Sequence, residues 1–145
     1  MKVYLDMCAL KRPFDDQNQS RVWIETQAVV RILEAFHQGH CAVVNSDALV
    51  YENSQNPKPV RRNRVGVLLN SFGRPVARTP AVTKRAMEIH SSGIPDMDAL
   101  HLALAEKAGC GHFITCDEAL LMRTRQMEIE LVVTSPTVFV EENDV

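Results

Sequence analysis

The order of apolar and polar positions divides the chain into short β-like runs and longer stretches of helical period. Lys2-Val3-Tyr4-Leu5 reads as a strand that ends on Asp6. The polar stretch from Lys11 to Ser20, with Pro13, Asp15, Asp16 and Asn18, reads as a loop. From Ser20 to His37 apolar residues recur at Val22, Trp23, Ala28, Val29, Ile32, Leu33 and Phe36, an amphipathic helix that Gly39 stops. On this spacing Trp23 belongs to the core. Cys41-Ala42-Val43-Val44 is a second strand, and Ser46 or Asp47 caps a short helix through Tyr51 and Glu52 before Asn56-Pro57-Lys58-Pro59 breaks the chain.

Val60 to Asn70 is basic and helix-like, and Gly73-Arg74-Pro75 ends it. Val76-Ala77-Arg78 is expected as a short third strand, followed by a helix from Thr79 to His90 that opens with a cap and a proline. A helix from about Asp96 to Ala108, a strand Cys110 to Thr115, a helix Glu118 to about Gln126 and a strand Glu130 to Thr134 follow, with a last helical turn from Pro136 to Glu142. The order β-α-β-α-α-β-α-α-β-α-β predicts an α/β fold: a three-layer α/β/α sandwich around a central, mainly parallel sheet of four to five strands, because parallel neighbours need crossover connections.

A length of 145 residues, 46% of them hydrophobic, suits one domain over the whole chain. No apolar run approaches the roughly 20 residues of a membrane span, and no signal-peptide pattern precedes the first strand, so a membrane protein is excluded and a cytoplasmic location expected. Cys8, Cys41, Cys110 and Cys116 lie apart without a C-x-x-C pair, which suits reduced thiols and not a zinc ribbon or a disulfide framework. The net charge of −2 hides an asymmetry. Residues 53 to 87 hold eight of the 16 basic residues and no acid; the rest of the chain carries eight basic and 18 acidic groups, a local balance of −10.

The acids suggest chemistry by position. In parallel sheets ligands gather outside the carboxyl ends of the strands. Asp6 and Asp117 sit at two such ends, Asp98 opens the helix before Asp117's strand, and Glu52 lies late in the short helix after the second strand. Four converging carboxylates repel one another unless cations compensate, so the cluster makes sense as a hard-metal site for Mg²⁺ or Mn²⁺, suited to hydrolysing a phosphodiester. Rival α/β sites lack parts: Asp6-Met7-Cys8 misses the second acid of a D-x-D phosphatase, Thr134-Ser135-Pro136 has no receiver-type lysine, and no Gly-rich phosphate loop follows the first strand.

Val3-Tyr4-Leu5-Asp6, Ser46 to Glu52, Asp98-Ala99-Leu100-His101-Leu102-Ala103-Leu104-Ala105 and Phe113-Ile114-Thr115-Cys116-Asp117 resemble, in order and spacing, the four acidic motifs of PIN domains. The resemblance implies a Mg²⁺- or Mn²⁺-dependent ribonuclease like the VapC-type toxins of bacterial toxin–antitoxin pairs, with Asp6, Glu52, Asp98 and Asp117 as catalytic metal ligands and Thr115 assisting. It also implies a cognate antitoxin and a homodimer. RNA would run along the acid-free segment, with Arg61, Arg62 and Arg64 on its phosphates and Tyr51, Phe14 or Trp23 as stacking groups. Asp15 and Asp16 are expected to cap the helix from Ser20. Asp96 is expected as an N-cap, because it points about 200° away from Asp98 on a helix. His101, one turn past Asp98, is expected as a satisfied, partly buried histidine or as a hydrogen-bond partner of a ligand carboxylate. The alternatives are a catalytically inactive PIN-fold module that binds RNA or protein, and a nuclease of DNA or structured flaps.

Overall fold

In the computed structural model, which describes residues 1–145, four of the five expected strands pair in parallel. They are β1 (Lys2–Leu5), β2 (Ala42–Val43), β3 (His112–Ile114) and β4 (Val132–Thr134), in the spatial order β2-β1-β3-β4. Between and after them come α1 (Met7–Lys11), α2 (Ser20–His37), α3 (Asp47–Ser54), α4 (Pro59–Ser71), α5 (Pro80–Ser91), α6 (Asp96–Lys107), α7 (Glu118–Thr124) and α8 (Pro136–Asn143). The result is the three-layer α/β/α arrangement, with α2 against α8 and α5 against α6. Val3, Tyr4 and Leu5 on β1 are all fully buried, as a central parallel strand covered on both faces requires. No helix is long and apolar enough to cross a membrane, and all four cysteines are free.

Two helices hand the chain to strands by the same device. Gly39 (φ 78°) follows α2 and Gly109 (φ 75°) follows α6, a backbone conformation that glycine adopts without Cβ strain. Each reversal carries a paired set of closing bonds: His40 N–H to Ala35 C=O with Gly39 N–H to Phe36 C=O, and Cys110 N–H to Ala105 C=O with Gly109 N–H to Glu106 C=O. The chain then enters β2 and β3, the two neighbours of β1.

Several expectations are corrected. Helix α1 over Met7–Lys11 is not among the expected elements, and a 3-10 turn at Arg12–Phe14 takes the start of the expected Lys11 to Ser20 loop. Val76-Ala77-Arg78 does not form a strand, because Val76 makes a single parallel bridge to Ser46 at the end of the β2 edge. Trp23 is not core; it is half exposed, since Val22, Glu25, Thr26 and Val29 set the buried stripe of α2. Asp15 and Asp16 do not cap α2, whose N-cap is Gln19. Asp15 instead pairs with Arg12 at 3.0 Å and Arg61 at 3.3 Å, and Asp16 accepts from the Asn18 amide. Asp96 is the first residue of α6 rather than its cap, and lies 3.1 Å from the His90 ring.

Candidate active site

The site lies at the carboxyl ends of β1 and β3. Asp6 continues β1 by one residue, its N–H bonded to Ile114 C=O, and caps α1: its Oδ1 accepts from the Met7 amide at 2.8 Å. Only 6% of Asp6 is exposed, so its remaining oxygen has a fixed setting. Oδ2 accepts from the Thr115 hydroxyl at 2.8 Å, and the Thr115 oxygen in turn accepts from the Asp117 amide at 3.1 Å. Thr115 thereby holds the ends of the two strands, and their acids, in register. Asp117 caps α7 through Oδ1, leaving its other oxygen free of protein donors.

Glu52 and Asp98 approach from α3 and α6. Glu52 Oε1 accepts from His101 Nε2 at 2.8 Å, and His101 is buried to 1% exposure. The other ring nitrogen meets the Tyr4 hydroxyl at 2.6 Å, and Tyr4 meets the Ser46 hydroxyl, also at 2.6 Å. Ser46 Oγ accepts the Leu49 amide as the cap of α3. One assignment uses every hydrogen: Leu49 N–H donates to Ser46, Ser46 to Tyr4, Tyr4 to Nδ1 of a neutral His101, and Nε2–H to Glu52. Burial above all holds the Tyr4 phenol well above its usual pKa, so it stays a donor. Both expectations for His101 are met at once: it is satisfied, and it orients a candidate ligand.

Asp98 accepts no hydrogen bond from the protein. Its carboxyl is pushed up to about 6, first by burial and then by the charges of Asp6 and Asp117, with a smaller push from Glu52. All four acids therefore share one electrostatic neighbourhood. No lysine or arginine pairs with Asp6, Asp98 or Asp117; Arg12 is held by Asp15 and Glu25. Arg21 donates to the Cys116 carbonyl at 2.6 Å and reaches Glu25 and Glu118. The donor set, carboxylate oxygens with one imidazole already bonded to Glu52, fits a hard divalent cation. No three of the Asp, Glu, His and Cys side chains are grouped as a ready ligand set, so the acids converge without closing into a cage.

Cys8 adds a group that sequence reasoning passed over. Its Sγ lies 3.5 Å from Asp6 Oδ2 and 3.3 Å from the Thr115 hydroxyl, and accepts from the Cys116 amide at 3.2 Å. Hydrogen bonding with Cys116, burial and the Asp6 charge hold this thiol far above its ordinary pKa, so it packs the site as a neutral group and is no nucleophile. Tyr4 and Ser46 were likewise legible only as a strand residue and a cap.

The three arginines expected on RNA each have a protein partner. Arg61 binds Asp15 and the Phe14 carbonyl, Arg62 donates to the Asn56 carbonyl at 2.8 Å, and the Arg64 guanidinium stands 5.9 Å over the Phe14 ring. Tyr51 is exposed, while Phe14 is partly buried against the core.

The sequence model of the PIN domain family matches residues 3–141. Among solved structures, the fold is similar to FitAcB from Neisseria gonorrhoeae, with a TM-score of 0.59 at 18% identity over 92% of this chain and 97% of that one. It is also similar to VapBC2 from Rickettsia felis bound to a DNA fragment from their promoter, with a TM-score of 0.57 at 12% identity over 93% and 98% of the two chains. No curated protein sequence matches the chain.

Proposed function

Because the chain belongs to the PIN domain family, we propose that it is a divalent-metal-dependent endoribonuclease, the toxin of a type II toxin–antitoxin pair. The observation that carries the reading is the half-buried Asp98 carboxyl raised by the charges of Asp6, Asp117 and Glu52, with no lysine or arginine paired to any of the four and His101 bonded to Glu52. Asp6, Asp98, Asp117 and Glu52 would hold Mg²⁺ or Mn²⁺, which supplies a charge for the phosphate oxygens and lowers the pKa of a bound water.

The chain's own residues give the geometry. Thr115 fixes Asp6 against Asp117, and the Tyr4–His101 pair aims Glu52 from the opposite side. Asp98, without a protein donor, keeps both oxygens available. In their ionised forms these acids also repel an RNA strand, a repulsion that a bound cation would offset.

The antitoxin is the expected partner, as the VapC-like motifs and the similarity to VapBC2 support; a helix laid in an apolar groove with a basic residue reaching the acids is the expected mode. The reading includes a homodimer and a cytoplasmic location, the latter supported by four free thiols. Hydrolysis of a single-stranded RNA with Mg²⁺ or Mn²⁺ tests the activity. Asp6→Asn and Asp98→Asn should each lose at least about a hundredfold in rate, a scale set by losing one charge-stabilising group; undiminished cleavage by either variant would sink the metal-site reading.

A further inference from the structure

A cleft of about 320 Å³ opens beside Glu52, between the end of α1 and the link from α3 into α4. Its walls carry Lys11, Gln55, Asn56, Lys58 and Arg61, and Glu52 is the wall shared with the acids. Lys11 is half-buried, yet neither its ammonium nor that of Lys58 is hydrogen-bonded or ion-paired within the fold. A half-buried ammonium without a carboxylate is the converse of the uncompensated acids next door: it wants an anion that the protein does not supply. Arg61 is held in place by Asp15 and the Phe14 carbonyl, which use only part of its five N–H donors. No acid stands in the first turn of α4; Asp15 pairs with Arg61, and Glu52 is the one carboxylate in the cleft wall against the unpaired Lys11 and Lys58.

We propose that this cleft is a phosphate subsite for single-stranded RNA, holding a neighbouring phosphodiester of the same strand whose scissile bond lies at the acids. The inference rests on the nuclease reading above. It changes the residues that grip the backbone: Arg62 and Arg64, turned to the Asn56 carbonyl and the Phe14 ring, give way to Lys11 and Lys58, with Arg61 retained. A cationic cleft of this kind suits a flexible strand that bends from the subsite over Glu52 to the acids.

The test separates binding from hydrolysis. In an Asp98→Asn background, fluorescence anisotropy with a labelled single-stranded RNA oligonucleotide reads affinity without turnover. Adding Lys11→Ala and Lys58→Ala should raise Kd by about tenfold or more and flatten the dependence of log Kd on log salt by about 0.7 to 1.4, the slope expected for one to two lost phosphate contacts on a single strand. Lys11→Arg with Lys58→Arg should bind within about twofold of the parent, which excludes a folding defect at these positions. Arg31→Ala with Lys107→Ala removes the same charge from two exposed positions that do not line the cleft and should leave Kd within about twofold. An unchanged Kd and slope in the double-lysine variant, an equal loss in the Arg31 and Lys107 control, or no RNA binding by the Asp98→Asn parent overturns the subsite. Absence of cleavage by the unmutated chain, with this binding pattern intact, overturns the nuclease reading and leaves the subsite standing.

Discussion

Asp98 sits in surroundings that disfavour its own ionised form. Its carboxyl titrates near 6 in the fold and near 3.8 when unperturbed, so between those values the folded chain binds more protons than the unfolded one. Metal-free stability therefore falls as pH rises from about 4 to about 6, and stays low above that. Asp98→Asn removes the cost of burying this charge and its repulsion with Asp6 and Asp117. The variant should be more stable than its parent above about pH 7, by on the order of 1 kcal/mol once solvent screening is counted, and the advantage should vanish near pH 4. Denaturant melts at the two pH values check this; equal stability of parent and variant throughout would mean that Asp98 does not feel Asp6 and Asp117. The four acids were legible from the chain because strand ends and a helix start are visible in its patterning, and carboxylates at such ends converge. Tyr4 was not legible as part of the site. Its place in β1 reads as one more core position, and its hydroxyl partners, Ser46 and His101, lie 42 and 97 residues away.

At the level of elements, the long amphipathic helix α2 was readable to its ends, since 18 residues give the period room to repeat and Gly39 marks the stop. Helix α1 was not. Five residues span little more than one turn, and what forms it is the Asp6 cap, a bond that doubles as part of the site. The acids of the following turn were misassigned for a related reason: a capping role is local and visible in sequence, whereas the Asp15–Arg61 pair spans 46 positions. Helix α3 couples its cap to function most directly, because Ser46 accepts from Leu49 and bonds the Tyr4 hydroxyl. Ser46→Ala should cost about 1–2 kcal/mol through the lost cap and the orphaned phenol, lowering Tm by about 3–6 °C in a domain of this size. Ser54→Ala, which loses exposed bonds to the Tyr51 carbonyl and from the Gln55 side-chain amide at the other end of α3, should change Tm by less than about 1–2 °C. Equal shifts in the two variants would show that the buried chain from Ser46 to Glu52 contributes nothing beyond a helix end.

Over the whole molecule, a net charge of −2 results from two regions of opposite sign. The acidic edge is unfavourable by itself at Asp98, whose carboxyl is raised first by burial and then by the charges of Asp6 and Asp117. An ion that binds the folded chain and not the unfolded one stabilises it by an amount set by its concentration relative to Kd, about 2.7 kcal/mol at a hundredfold excess. For a chain of this length that raises Tm by about 5–10 °C. Mn²⁺ or Mg²⁺ should produce this shift near neutral pH at constant ionic strength, whereas sodium chloride alone should produce far less, because screening acts on all 34 charged side chains of both signs. Asp98→Asn should start from a higher metal-free Tm and gain less on adding the cation, since the variant has lost one of the four carboxylates and the destabilising charge of Asp98. The crossing of these two melting series distinguishes a cation held by the quartet from one held loosely by surface acids such as Glu128, Glu130, Glu141 and Glu142. Surface binding would raise parent and variant alike, and a parallel rise would remove the metal centre from the account of this fold.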